Sequence, residues 1–253
     1  MSEVVRRQFD RAAGAYGTSP IFAAGHDLAL MVEAVHPTAA MTVLDVGTAA
    51  GHTAFAFAPQ VREVIGTDVS AAMLAEATRQ ATARGFTNVR FEEADLASLP
   101  FADATFDVVT CRLVAHHLPV LDLMLTDIAR VLKPNGQFVV VDTISPEDAA
   151  LADFLDTVER LRDPSHGRDW SLSQWQTAGD AIGTPFRVAA QWYLPLDFAD
   201  WTARQQTPPE AIAALERLFD AASPAIREQF AIVRHPARAF QLPCALLHGT
   251  KIA

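Results

Sequence analysis

The fold of this chain is decided by the stretch VLDVGTAAGHT, residues 43–53. An apolar run typical of a strand ends at Asp45-Val46, a turn that carries Gly47 and Gly51 follows, and a helical pattern then begins. The two glycines leave room for backbone to approach a ligand, and the first turn of a helix offers N–H groups that have no partner within the helix. The same pattern also occurs in ordinary turns between a strand and a helix, so the glycines alone do not establish a binding site.

Outward from this stretch, short apolar runs alternate with helical stretches between Met41 and Asp142. The predicted strands are Thr42–Val46, Glu63–Thr67, Asn88–Glu92, Phe106–Thr110 and Gln137–Asp142. The predicted helices are Gly51–Ala58, Ala71–Arg84 and Val120–Leu132, and the last is followed by a predicted turn at Lys133-Pro134-Asn135-Gly136. Most of the strands are apolar on both faces, which is typical of parallel strands covered by helices. The alternation predicts an α/β fold with a doubly wound, Rossmann-like parallel sheet and a ligand crevice at the carboxyl ends of its strands.

The two flanks of this core are richer in helical patterns. Further helices are predicted at Glu147–Arg162 and Leu172–Ile182, and late strands at Arg187–Leu194 and Ala239–Leu247, with helical material between these strands. We therefore expect a single domain over residues 1–253, in which 1–40 form an N-terminal helical cap and 41–142 form the ligand-binding core. Residues 143–253 are expected to supply lid helices over the crevice and the C-terminal strands.

The amino-acid composition excludes several classes of protein. The chain has 253 residues, 50% of them hydrophobic, and a formal net charge of −10, which together predict a folded protein that repels phosphate backbones. We expect no nucleic-acid partner, no membrane insertion and a cytoplasmic location, because the N-terminus is charged and long apolar runs are lacking. Two cysteines are too few for a disulfide scaffold, so buried thiols are expected. The composition leaves both a monomer and a homodimer open.

An acidic residue follows the second predicted strand. Asp68 lies about twenty residues after the glycines, where a carboxylate can accept both hydroxyls of an adenosine ribose. This spacing fits a dinucleotide or S-adenosylmethionine (SAM). A dinucleotide site requires a third glycine, and it disfavours a carboxylate beside the pyrophosphate. This turn has only the pattern G-x-x-x-G, and Asp45 stands just before it. A cationic amino-acid ligand tolerates that carboxylate, so SAM is the favoured cofactor.

Further motifs follow in a fixed order. They are Val43–Thr53, Val64–Ser70, the stretch Phe91-Glu92-Glu93-Ala94-Asp95-Leu96, Leu99-Pro100-Phe101 with Phe106-Asp107, Arg112–Leu118 and the Val131–Gln137 turn. The ordered set resembles the class I SAM-dependent methyltransferases of the ubiquinone/menaquinone-biosynthesis type, the methyltransferase-11 group. The resemblance covers roughly residues 40–142. It implies a seven-stranded, mostly parallel sheet whose last strand is antiparallel.

The same resemblance implies a set of cofactor-binding residues. Asp45 and the turn residues Gly47, Thr48, Ala49 and Gly51 would hold the amino-acid end of SAM. The remaining contacts would come from Asp68 to the ribose, Val69, Met73, Asp95 and Leu96 around the adenine, Arg112 after the fourth strand, and Tyr16 of the N-terminal segment. Family members usually carry glycine where Ala49 stands, so an alanine is expected to be tolerated if its φ is negative.

The expected chemistry is transfer of a methyl group to oxygen or carbon of a small apolar or aromatic acceptor by in-line displacement. His117 and His116 follow the fourth strand and are the candidate bases, since histidine titrates near neutrality. His166, in the polar break at 163–169, is a weaker candidate. The His and Cys spacing fits no zinc pattern, so no metal is expected. A protein of the same fold that binds SAM without transferring methyl is the alternative, and a nicotinamide oxidoreductase is a third.

Overall fold

The computed structural model describes residues 5–10, 23, 25–234 and 237–253, and residues 5–10 are helical. The strands are β1 (Thr42–Val46), β2 (Glu63–Asp68), β3 (Val89–Glu93), β4 (Phe106–Arg112), β5 (Leu132–Ser145), β6 (Trp170–Ser171), β7 (Phe186–Asp197) and β8 (Ala239–Thr250). The longer helices are α1 (His26–Val35), α2 (His52–Phe57), α3 (Ala71–Arg84), α4 (Asp122–Val131), α5 (Ala149–Arg162), α6 (Leu172–Ala181), α7 (Phe198–Arg204), α8 (Pro209–Ala221) and α9 (Pro224–Gln229). Short 3-10 turns occupy Ala58–Gln60 and Ala115–His117.

The strands form one sheet in the order β3-β2-β1-β4-β5-β8-β7, with β6 paired to β5 beside this path. Strands β1 to β5 run parallel, and β8 lies antiparallel between β5 and β7. The predicted doubly wound sheet with an antiparallel last strand is therefore confirmed, and the two-residue β6 brings the strand number to eight. The carboxyl ends of β1, β2, β4 and β5 meet at one edge, where the crevice was expected.

Capping residues define the helix that follows β2. The Ser70 hydroxyl accepts a hydrogen bond from the Met73 N–H at 3.1 Å, which fixes the start of α3. Gly85 ends the helix with a φ of +73°, a conformation that glycine adopts without steric cost. Because both ends are set by local chemistry, α3 has the bounds that the sequence predicted.

The segment Lys133–Gly136 departs from the prediction of a turn, because β5 runs straight through it. Asn135 adopts a φ of +63°, and its N–H donates to the Lys251 carbonyl at 3.1 Å. The Lys251 N–H donates in return to the Gly136 carbonyl at 2.8 Å. Pairing with the end of the chain thus keeps the segment in the sheet, and the register between β4 and β5 shifts there as in a β-bulge.

The described residues form three hydrophobic clusters, and the third belongs to the helices that follow β5. Two of them pack against the faces of the sheet. The third joins the lid helices to the far ends of β7 and β8, through Leu155, Val158, Leu196, Phe198, Trp201, Leu215, Phe219, Phe230, Phe240 and Leu242. The helices inserted between β7 and β8 therefore share a core with α5 and the adjoining strand ends. Both cysteines are buried thiols, as predicted. Among the described residues, none of the helices combines the length and the apolar character that a membrane span needs.

Candidate active site

A cavity lies at the carboxyl ends of β1, β2 and β4, where the sequence predicted the cofactor site. It encloses about 610 Å³ of space outside protein atoms and opens to solvent. We call it the first cavity. Its walls are Phe9, Gly47, Thr48, Ala49, Ala50, His52, Thr53, Asp68, Arg112, Leu113, Val114 and His117. Six predicted site residues thus share one wall, namely Gly47, Thr48, Ala49, Asp68, Arg112 and His117.

Both glycines of the turn are required by its geometry. Gly47 has a φ of +65°, and a Cβ there would lie 2.5 Å from a methyl group of Val114. Gly51 has a φ of +87° at the start of α2, and a Cβ there would lie 2.8 Å from the Phe55 ring. A side chain at either position would have to displace a neighbour while holding a strained backbone. The turn can therefore pass close to a ligand, as the sequence indicated.

Ala49, between these glycines, has a φ of +46°. The condition under which an alanine was expected to fit, a negative φ, is therefore not met. An L-residue in this left-handed region brings its Cβ close to a backbone oxygen and costs roughly 1–2 kcal/mol. The turn keeps this conformation because the Ala49 N–H donates to Asp68 Oδ2 at 3.0 Å, which ties the turn to the end of β2.

Replacing Ala49 with glycine should raise the free energy of unfolding or leave it unchanged. Relief of the strained φ offsets the larger backbone entropy that glycine loses on folding. Ala75, which is exposed in the middle of α3, provides the control, since Ala75→Gly should lower the free energy of unfolding by about 0.5–1 kcal/mol. Urea unfolding of both variants makes the comparison. Equal losses in the two variants would contradict the strain at position 49.

The two acidic residues of the predicted set occupy different environments. Asp68 lies on the wall of the first cavity, where its Oδ1 also accepts from the Ser70 N–H at 2.9 Å. Asp45 is 1% exposed and lies beneath the turn, outside that wall. Its carboxylate accepts from Thr48 Oγ1 at 2.6 Å and Thr110 Oγ1 at 2.8 Å. Burial raises the pKa of Asp45 to about 6 and also raises the pKa of Asp68. These contacts brace the turn from below, and the cofactor contact of Asp45 stays a prediction.

The other predicted cofactor residues lie farther from the first cavity. Val69, Met73 and Leu96 are buried. Asp95 accepts a hydrogen bond from the Ala97 N–H at 2.9 Å in the loop after β3. All four are absent from the described wall of the first cavity. Tyr16 lies outside the described residues. The roles of these five residues stay predictions.

Arg112 is paired with a residue that the sequence analysis did not single out. Its guanidinium donates to both carboxylate oxygens of Asp27 on α1, at 2.5 and 3.2 Å, and both side chains are less than a tenth exposed. This two-point ion pair holds Arg112 on the wall of the first cavity. It also fastens α1 to the end of β4, so the helical region before the core contributes to the site.

A second cavity lies between the end of the sheet and the lid, and encloses about 570 Å³ outside protein atoms. Its walls are Leu113, His116, His117, Thr143, Glu159, Arg162, His166, Leu194, Leu196, Trp201, Arg204, Gln205 and Leu242. Leu113 and His117 belong to the walls of both cavities. The two spaces therefore meet at these two side chains.

His117 is 6% exposed and has one ring nitrogen fixed. Its Nδ1–H donates to the Ser165 carbonyl at 3.1 Å, so the neutral ring carries its lone pair on Nε2. The Phe9 ring packs edge-on against it, with centroids 5.0 Å apart. Burial, and next the charge of His116, lower the pKa of His117 to about 4. At neutral pH this histidine is thus an uncharged group that can accept a proton.

His116 is held in the opposite state. Its Nδ1–H donates to Asp142 Oδ1 at 2.6 Å, and its backbone N–H donates to Asp142 Oδ2 at 3.2 Å. Burial alone would lower the pKa of His116, but the charge and hydrogen bond of Asp142 outweigh it and raise the pKa to about 9. His116 is therefore an imidazolium at neutral pH. Its positive charge lies beside His117, whose ring centroid is 4.3 Å away.

Several residues of the site were missed by the sequence analysis. Asp142 ends the fifth predicted strand, and the rule that singled out Asp68 would have found it, since both are acids at the carboxyl end of a parallel strand. Asp27, Leu194, Trp201 and Arg204 carry no comparable sequence signal. They reach the site through contacts between segments that are distant in the chain.

Comparison with known proteins gives consistent matches. A family model described as a methyltransferase domain matches residues 37–185. The methyltransferase YcgJ of Bacillus subtilis is 38% identical over 246 residues, which cover 96% of this chain and 97% of that protein. Its crystal structure is similar with a TM-score of 0.88, over 90% of this chain and 99% of that one. A ubiquinone/menaquinone biosynthesis C-methyltransferase of Cellvibrio japonicus is 34% identical over 119 residues, 46% of this chain and 48% of that protein.

Proposed function

This chain belongs to the SAM-dependent methyltransferases, and from that premise we propose that it methylates oxygen or carbon of a small acceptor held in the second cavity. The observation that carries the proposal is the meeting of the two cavities at Leu113 and His117. Methyl transfer requires donor and acceptor atoms to be aligned at near-attack distance in a site that excludes water. Two adjoining cavities that share a neutral histidine would place the donor and the acceptor side by side.

The first cavity suits the adenosyl and methionine parts of SAM. The Gly47–Gly51 turn lets backbone approach a ligand, and each carboxylate oxygen of Asp68 accepts one N–H and keeps a second lone pair for a ribose hydroxyl. Arg112 lies on the wall of the first cavity in a buried ion pair with Asp27, which offsets its charge and fixes its position there. When bound, SAM supplies a methyl group already activated on a sulfonium, so the chain has to position the acceptor and manage its proton.

The second cavity favours an acceptor with an apolar or aromatic body and an acidic hydroxyl or C–H group. Leu194, Leu196, Trp201 and Leu242 give it apolar walls. His117 accepts the proton that the acceptor releases. With a pKa lowered to about 4, His117 is a weak base toward a phenol or an enol, so it accepts the proton as the O–H or C–H becomes acidic during transfer of the methyl group.

The remaining elements close the site. The lid region within residues 143–253 supplies Leu194, Trp201 and Arg204, and so would select the acceptor. Gln8 in the N-terminal helical segment donates through Nε2 to Gln205 Oε1 at 2.9 Å and to the Gln205 carbonyl at 3.1 Å. Phe9 of the same segment lines the first cavity, and Gln205 lines the second. The contact between Gln8 and Gln205 would therefore hold the N-terminal helical segment against the lid region when SAM and the acceptor are bound.

A panel of acceptors tests the proposal. Purified protein with SAM should form S-adenosylhomocysteine, followed by mass spectrometry, with phenolic, quinol or enol acceptors and not with charged aliphatic amines. Leu194→Ala should raise the KM for an active acceptor about 10-fold, since it removes roughly 1–2 kcal/mol of apolar contact, and should leave the Kd for SAM unchanged. Val188→Ala, on the same strand and outside the cavity, is the control.

The assay distinguishes a methyltransferase from a protein of the same fold that binds SAM without transferring its methyl group. SAM binding without S-adenosylhomocysteine formation across the panel would favour a protein that binds the cofactor without transferring its methyl group. Binding of NADH in place of SAM would overturn both.

A further inference from the structure

A compact group of potential metal ligands lies beside the second cavity. Asp156 is on α5, and His166 and Asp169 are in the loop that follows it. His166 Nε2 lies 3.6 Å from Asp169 Oδ2 and 3.9 Å from Asp156 Oδ1. One ligand atom from each of the three residues falls within 4.8 Å of the other two. The group is separate from the proposed cofactor contacts.

Two of these atoms are buried and have no hydrogen-bond partner in the part of the chain that the structure describes. They are His166 Nε2 and Asp169 Oδ2, on residues that are 7% and 2% exposed. Their separation of 3.6 Å is too long for a hydrogen bond between them. Leaving a buried donor or acceptor unsatisfied costs about 1–3 kcal/mol, and more for a charged group. An arrangement that holds two such atoms facing each other calls for a third group between them.

The spacing between His166 Nε2 and each of the two carboxylate oxygens suits a cation. Ligands about 2.0–2.2 Å from a tetrahedral ion lie roughly 3.4 Å from one another. The observed distances of 3.6 and 3.9 Å are close to this value. We propose that Asp156, His166 and Asp169 bind a divalent transition-metal ion of the Zn²⁺ or Mn²⁺ type. One imidazole nitrogen with two carboxylate oxygens is a donor set that such ions accept, whereas Ca²⁺ and Mg²⁺ favour oxygen alone.

The outer oxygens of both carboxylates are already held. The Thr143 hydroxyl donates to Asp169 Oδ1. Arg160 donates to Asp156 Oδ2 at 3.0 Å. These contacts leave Asp169 Oδ2 and Asp156 Oδ1 turned toward His166, as the outer contacts of metal ligands usually do. The Asp156 oxygen also receives a long contact of 3.4 Å from the Asp169 N–H.

The loop that carries two of the ligands is fixed against the active site. The N–H groups of Gly167 and Arg168 both donate to the His116 carbonyl, at 2.8 and 3.0 Å. The His166 ring stacks on the His116 ring with centroids 5.5 Å apart. His166 also lines the second cavity. A metal ion at this site would therefore lie at the wall of the acceptor space and tie the lid loop to α5.

This site could not be read from sequence spacing. Its residues are separated by ten and then three positions, which matches no zinc motif, so the sequence predicts no metal. The fold brings the three residues together because the polar break after α5 turns back onto the helix.

Metal titration of the whole chain tests the proposal without reference to catalysis. Protein freed of metal with a chelator and then dialysed is titrated with Co²⁺, followed by visible absorption, and with Zn²⁺ and Mn²⁺, followed by calorimetry. We expect one saturable site per chain and a higher Tm in the presence of Zn²⁺. Binding should also occur without SAM and in His117→Asn, so its outcome is independent of methyl transfer.

Variants assign the ligands. His166→Phe keeps a ring against His116 and removes the ligand nitrogen, and Asp169→Asn removes the buried charge. Each should weaken metal binding by 100-fold or more. Asp156→Asn, at a side chain 31% exposed, should weaken it at least 10-fold and remains informative if the buried variants do not fold. Asp153→Asn, at an exposed position of the same helix, should bind metal as the unaltered chain does. Absence of saturable binding to the unaltered chain, or equal affinity in all four variants, would overturn the proposal.

Discussion

His117→Asn should lower kcat for methyl transfer to an acidic acceptor about 100-fold, near the lower end of the usual effect of a general base. The asparagine amide can take the place of Nδ1 and continue to donate to the Ser165 carbonyl. The variant therefore removes the lone pair at Nε2 but keeps the hydrogen bond to the Ser165 carbonyl that positions this side chain between the two cavities. The Kd for SAM should change by less than 3-fold. Steady-state kinetics at saturating SAM, together with calorimetry, provide both values.

The pH profile gives an independent reading of the same residue. Burial and the neighbouring His116 charge place the pKa of His117 at about 4, so the base is unprotonated at every pH well above that value. Between pH 5.5 and 8 the unaltered enzyme should show no midpoint from this group, whereas an exposed histidine would give one near 6.5. A midpoint near 6.5 that disappears in His117→Asn would contradict the buried environment.

His248→Asn is the matched control for the loss of a buried histidine. His248 is 7% exposed on β8 and contacts Arg187 and Gln137, away from both cavities. Its replacement should lower stability and leave kcat unchanged. If His117→Asn keeps full activity with every acceptor that is methylated, His117 does not remove a proton, and its contribution is limited to packing.

The sequence could predict the position in the fold of the residues that lie at the ends of strands. In a parallel sheet, the segments after β1, β2 and β4 must meet at one edge, so Gly47, Asp68 and His117 come together whatever the lid does. The orientation of each side chain depended on more than this rule. Asp45 also lies near the end of a strand, but the register pairs it with Thr110, and its carboxylate points beneath the turn.

The acceptor side of the site depends on contacts between distant segments. Trp201 and Leu194 reach the second cavity because β8 lies antiparallel between β5 and β7, and the third hydrophobic cluster forms where β7 ends and β8 begins. Asp27 meets Arg112 across 85 positions of the chain. Neither periodicity nor a local motif encodes such pairings. The backbone at Ala49 is a similar case, since its positive φ accompanies a hydrogen bond to Asp68, nineteen positions along the chain.

Asp68→Asn should weaken SAM binding about 100-fold. A carboxylate can accept both ribose hydroxyls in charge-assisted hydrogen bonds worth about 1.5–3 kcal/mol each. An amide keeps the size of the side chain, but one of its two acceptors becomes a donor. S-adenosylhomocysteine, which carries the same ribose, should lose affinity by a similar factor. Calorimetry with both ligands measures the effect well below the Tm of the variant.

The contribution of Asp68 to stability has to be distinguished from its proposed contact with the ribose. Its two oxygens also hold the N–H groups of Ala49 and Ser70, so the asparagine variant should lose about 1 kcal/mol of stability as well. Asp107→Asn is the matched control, because Asp107 accepts from the Thr42 N–H at 2.8 Å and from Lys133 at 2.7 Å, outside the first cavity. It should lose comparable stability and bind SAM normally. If the two variants bind SAM equally well, the ribose contact proposed for Asp68 is wrong, and its role is to hold the turn.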